Sequence, residues 1–312
     1  MVLLEENNIR FHQKNGKQKQ KIKLFVCEKY RKTYLCADNR AVMKEQRNIS
    51  DWINKQLAVG KYTFTLAYLN SQMPDKSYIS IKLALKRLVD KNKIISISKG
   101  FYIIIPPSYQ NMGILPPVMF MDDLMQYLKR PYYISLLSAA ALHGAAHQQP
   151  QLHFVCTTLP SMRNTNKNGI QIKYISKRTF PRLHIVQKKT ESGYVNLSDP
   201  ILTCFDLINY HRSIGGLNRA ATVINELSEE ISEKEITADI IRLSTNANIQ
   251  RLGYLWEYVC NQPDLADMLF NIMKETSLSF KNYKLNPAMD FQKQTSRNRW
   301  KINVNTKIEI DE

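Results

Sequence analysis

The sequence has no apolar run long enough to cross a bilayer: its longest, Tyr132 to Leu142, is about half of the roughly 20 residues a spanning helix needs, and it runs into His143 and Gly144. The opening MVLLEENNIRF lacks a cationic segment followed by an apolar one, so no secretory leader is read there and a cytoplasmic protein without membrane contact is expected. Cysteine is sparse and odd in number. Cys27, Cys36, Cys156, Cys204 and Cys260 are scattered, which speaks against a disulfide framework and fits reduced thiols. Acidic residues are few: 27 Asp and Glu stand against 44 Lys and Arg, a formal charge of +17 that favours a polyanionic partner.

Catalytic motifs are missing as well. No serine or cysteine lies in a glycine-flanked elbow, and the glycines of SIGGLNRA (Gly215, Gly216) lack the lysine and hydroxyl of a phosphate-binding loop, so they read as a turn between helices. Asp122-Asp123 and Glu229-Glu230 are adjacent acids that point to different helical faces, a poor arrangement for acid/base work. His143 and His147 have the spacing of a zinc-binding helix, but Gly144 disfavours helix and no carboxylate follows His143; closure of a helix onto a sheet is the reading. Cys27 and Cys36 are too far apart for a zinc knuckle. No catalytic residue, metal site or cofactor is expected.

What is present suits a folded α+β protein: 312 residues, 44% hydrophobic, with aromatics enough for real cores. Residues 1–46 read as a polar, basic arm with little periodicity, including KNGKQKQKIK from Lys14, and translation from Met1 and from Met43 are both open readings. Residues 47–107 read as three helices and a hairpin, the outline of a winged helix-turn-helix. Ser50 can cap a helix over Trp52, Ile53 and Leu57 that Gly60 ends; a second helix covers Phe64 to Leu69; Asp75 or Ser77 caps a third from Tyr78 to Lys91. IISIS and FYIII, joined at Lys99-Gly100, are the two strands of the wing.

Prolines 106, 107, 116 and 117 bracket a linker over 108–120. The second domain, 121–312, is expected to be a larger mixed α/β unit with a small sheet and C-terminal helices. Helices over Asp122–Leu128 and Ile134–His143 precede strands at LHFVCT, IQIKYI, LHIVQ and YVNL. Asp199-Pro200 opens a helix, four more follow, and WKINVN from Trp300 closes the chain as a strand.

At about 100° per residue the third helix has two faces. Tyr78, Ile81, Ala84, Leu85, Leu88 and Val89 form the arc expected to pack inward. Lys76, Ile79, Lys82, Leu83, Lys86 and Arg87 form the opposite arc, where cations suit phosphates and Ile79 and Leu83 suit thymine methyl groups in a major groove. Lys99 at the hairpin tip is placed as a wing contact. Double-stranded DNA is the expected partner.

In the second domain YYISLLSAAALHGAAHQQPQ, DPILTCFDLINY, GGLN, QRLGYLWE and RWKINVN, in that order, resemble the AbiEi family of antitoxins from abortive-infection (type IV) toxin-antitoxin operons. The resemblance implies a winged helix that binds inverted repeats in its own promoter, and a second domain that counters a nucleotidyltransferase toxin without a stable complex. It supplies no catalytic residue. Tyr132, Tyr133, Ser138, His143, Gln149, Arg251 and Trp300 fall in the family-like segments, as fold determinants or as functional positions. The other reading is a winged-helix regulator whose second domain senses a ligand or a protein and has no toxin partner.

Overall fold

In this computed structural model the described residues are 48–145, 150–291 and 297–310, together with the backbone of 6–7, 23–27 and 32–36. The last three stretches are strands β1 (Glu6–Asn7), β2 (Lys23–Cys27) and β3 (Lys32–Cys36), paired antiparallel in that order. The arm was expected to lack regular structure, yet KLFVC and KTYLC are short β-rich runs of the kind that pair.

Helix α1 (Ile49–Ala58) starts one residue before the expected cap: Asn48 accepts from the Ser50 amide at 3.2 Å, because buried Ile49 belongs to the packed face. The second helix, expected over Phe64 to Leu69, starts later and runs further, over Leu66–Gln72. Thr63–Thr65 form strand β4, where β-branched side chains pair with Ile103 and Phe101, and Thr65 then caps α2 (Leu66–Gln72) through the Tyr68 amide. Helix α3 (Tyr78–Asp90) is capped by Ser77, and the wing follows as β5 (Ile94–Ser98) and β6 (Phe101–Ile104). Gly100 takes the turn with φ +77°, a region that glycine enters without strain. Trp52, Phe64, Leu69, Ile81, Leu85, Leu88, Ile94 and Ile104 make the core of this head, with Trp52 and Phe64 edge to face at 5.3 Å.

The proline-rich connection is packed. Two 3-10 turns, Pro107–Tyr109 and Pro117–Met119, carry Leu115 and Phe120 into the interior. Helix α4 (Met121–Tyr127) leads to β7 (Tyr132–Ile134), a strand where helix was expected from Ile134. Its three side chains are buried on both faces of a sheet, so an apolar run that resembles a helix segment is pulled into pairing. Helix α5 (Leu136–His143) stops at Gly144 in the left-handed region.

Strands β8 (Leu152–Thr158), β9 (Thr165–Lys167), β10 (Ile170–Lys177), β11 (Ile185–Thr190) and β12 (Gly193–Ser198) complete a mixed sheet in the order β11-β12-β7-β8-β10-β9. One face, with Tyr133, Phe154, Cys156 and Ile175, packs on α6 (Pro200–Asn209), α7 (Leu217–Ser228), α8 (Ala238–Ile241), α9 (Asn246–Tyr258) and α10 (Pro263–Glu275). The other face, with Tyr132, Ile134, Val155, Ile172 and Val195, packs on α4 and on the wing. The closing strand is reduced to β14 (Ile302–Asn303), parallel to β13 (Tyr283–Lys284). No helix among the described residues is long and apolar enough to cross a membrane.

Candidate nucleic-acid interface

Helix α3 separates its faces much as the periodicity requires. Ile81, Leu85 and Leu88 are buried in the head core, with Ala84 and Val89 partly buried against it. Tyr78 departs from the expected inward arc. It stands half exposed in the first turn, before the helix has met its packing partners, and the Lys82 ammonium lies 4.4 Å from its ring centroid. On the outer arc Lys82, Lys86 and Arg87 are exposed, and Ile79 and Leu83 are 71% and 52% exposed. Apolar side chains that open to solvent among cations are not explained by the core. Lys76 precedes the helix and is half-buried, while Lys99 projects from the hairpin tip.

The wing is held from behind. Its sheet turns Ile94 and Ile104 toward the head core and Ile95, Ile97, Phe101 and Ile103 toward the second domain. The Tyr127 hydroxyl donates to the Lys99 carbonyl at 2.8 Å, the Thr63 hydroxyl to Asp123 at 2.5 Å, and the Lys167 ammonium to the Ser96 carbonyl at 2.9 Å.

The family-like residues of the second domain are mostly internal anchors. The Tyr132 hydroxyl donates to Asp122 and accepts from the Asn196 amide; Ser138 accepts from the Phe154 amide; a His143 ring nitrogen lies 2.7 Å from the Ser198 carbonyl. Gln250 spans the Trp300 and Lys281 carbonyls, and Arg251 donates to the Lys284 carbonyl. Trp300 lies flat on α9 at Gly253, where a methyl group would fall 2.2 Å from its ring. These contacts join the QRLGYLWE and RWKINVN segments into one structural unit. Gln149 and His147 lie outside the described residues.

One buried polar cluster was not anticipated. Lys177 on β10 and Asp206 on α6 form an ion pair at 6% and 0% exposure, and the Tyr133 hydroxyl donates to the other Asp206 oxygen at 2.8 Å. Burial pulls the Lys177 pKa down, but Asp206 outweighs it and the ammonium is favoured. Burial and Asp206 both push Tyr133 well up. Burial also lifts the Cys156 and Cys260 thiols to about 12 and holds Cys204 well above the usual thiol range, so all three are poor nucleophiles at neutral pH. The sequence did hold a signal for the cluster: Asp206 is a lone charge inside the apolar helix ILTCFDLIN.

A small antiparallel sheet with its helices, docked on a six-stranded mixed sheet with a helical layer behind it, defines an α+β protein of winged-helix outline at its N-terminal end. Residues 133–258 match the family described as AbiEi antitoxin C-terminal domain. Among solved structures the chain resembles the Rv2827c protein from Mycobacterium tuberculosis, with a TM-score of 0.59 at 12% identity over 81% of this chain and 89% of that one. The likeness at that identity is one of fold. No curated protein matches the chain.

Proposed function

We propose that the chain is a non-enzymatic antitoxin that represses its own operon through the winged helix and counters a nucleotidyltransferase toxin through the second domain. The observation that carries the DNA half is the solvent-facing arc of α3, which sets Lys82, Lys86 and Arg87 around exposed Ile79 and Leu83 beside a basic wing tip. Affinity then comes mainly from counterion release, with base selectivity from the N-terminal half of α3. The toxin half is supported by the AbiEi antitoxin C-terminal domain over 133–258. The three raised thiols of the described residues fit a role without a cysteine nucleophile.

The partners of this reading are an inverted-repeat operator and a toxin that is opposed without a lasting complex. Lys82→Glu with Lys86→Glu is expected to abolish retardation of the promoter fragment in a gel, and unchanged retardation would sink the assignment of that face. Where a nucleotidyltransferase-like gene adjoins the chain's own, co-expression with that gene is expected to restore growth, including with the charge-reversed protein. Failure to restore growth with the wild-type chain would instead favour a regulator with a sensing domain.

A further inference from the structure

The head sits against the second domain through the wing, and the contacts fall on both outer strands and the tip of its small sheet. In the order β4-β6-β5, Thr63 on one outer strand bonds Asp123, and Ser96 on the other bonds Lys167. The tip carbonyl of Lys99 bonds Tyr127. Asp123 and Tyr127 are four residues apart, so they share one face of α4. Between these points Phe101 packs on the Tyr127 ring at 5.3 Å, and Ile95, Ile97 and Ile103 are buried with Met121, Leu124 and Met125. The approach at the tip is close: a methyl group on Gly100 would lie 3.0 Å from the Tyr127 hydroxyl.

We infer that Tyr127 and Lys167 are positioning residues for DNA recognition: from the second domain they fix the backbone of the wing, and so set the pose of Lys99 relative to α3. The inference rests on the DNA-binding reading of the head and extends it to residues outside the head. A hairpin that carries one cation at its tip gains affinity when its pose is set before DNA arrives, because less ordering is left to do on binding. Both residues act on main-chain carbonyls, so neither needs to touch DNA. By reciprocity, DNA that seats the wing stabilises the contact with α4 and β9, and a partner that displaces α4 weakens DNA binding by the same factor.

The test uses the full-length chain and a fluorescent duplex of the promoter region preceding its own gene, with Kd measured over a series of salt concentrations and the thermal midpoint in parallel. Tyr127→Phe keeps the ring against Phe101 and removes only the hydroxyl; it is expected to weaken binding about three- to tenfold with an unchanged salt slope, at temperatures where the protein is fully folded. Lys167→Met is expected to do the same, and Lys167→Arg to restore most of the affinity. A merely structural role lowers the thermal midpoint and leaves Kd of the folded protein unchanged; that result for Tyr127→Phe would overturn the inference while the DNA reading stands. A salt slope reduced by about one in Lys167→Met would mark a phosphate contact and overturn its positioning role. If the wild-type chain does not bind the duplex, the DNA reading itself fails, and if Lys82→Ala binds as tightly as the wild type, the assignment of the α3 face fails.

Discussion

Single side chains in the second domain carry large and separable free energies. Asp206 has no exposure and is shared by the Lys177 ammonium and the Tyr133 hydroxyl. Asp206→Ala strands a buried cation and is expected to cost about 3–5 kcal/mol in denaturant unfolding, whereas Lys177→Met combined with Asp206→Leu is expected to recover much of that loss. His153 on β8 gives a pH signature of its own. Burial pushes its pKa down to about 4 from 6.5, so the unfolded chain binds the proton more tightly. Stability from this residue is full above pH 6.5 and falls as pH drops toward 4, by up to about 3 kcal/mol. Thermal melts across that range, compared with His153→Gln, check it: the variant is expected to show the shallower acid loss. His184 works in the opposite sense. Its bond to Asp199 raises its pKa, so its contribution is present below 6.5 and fades as pH rises through the raised value.

Among the elements, α3 allows stability and recognition to be separated. Ser77→Ala removes the cap on the Ser80 amide and is expected to cost about 1 kcal/mol of stability without changing the salt slope of DNA binding. Lys86→Ala is expected to do the reverse, lowering the slope by about one with little change in melting. Elements with a strong local period were legible from sequence: α3 and its cap, the wing turn at Gly100, and the Asp199-Pro200 start of α6. What escaped was set by distant partners. Tyr132–Ile134 forms a strand only because β8 and β12 flank it, and β4 exists only because β6 offers an edge. The outer arc of α3 was legible because exposure follows the helical period. The ties from Asp123, Tyr127 and Lys167 were not, since each joins residues about 28 to 71 positions apart.

On the scale of the whole chain, the proline-bracketed stretch does not separate two free bodies. Leu115, Met119 and Phe120 lie in the same core as Ile95, Ile103, Met125 and Val155, and the central sheet has helices on one face and the wing on the other. Removing residues 1–107 bares Leu115, Met121, Leu124 and Met125 together. The truncated chain is expected to aggregate in size-exclusion chromatography, and the intact described unit to melt in a single calorimetric transition. The proposed repression and the proposed toxin protection are therefore better separated by point changes on α3 than by truncation.

The shared wing also bears on how such a protein can be re-engineered or diversify. Exchanging the whole head between relatives transfers a hairpin whose inner side is fitted to someone else's α4, so Ile95, Ile97, Phe101 and Ile103 must travel with Met121, Leu124 and Met125. Changes confined to the outer arc of α3, at Ile79, Lys82, Leu83 and Lys86, meet no such constraint. On the proposed DNA-binding reading, new target sequences are accessible there one substitution at a time, with the seam between the domains left intact.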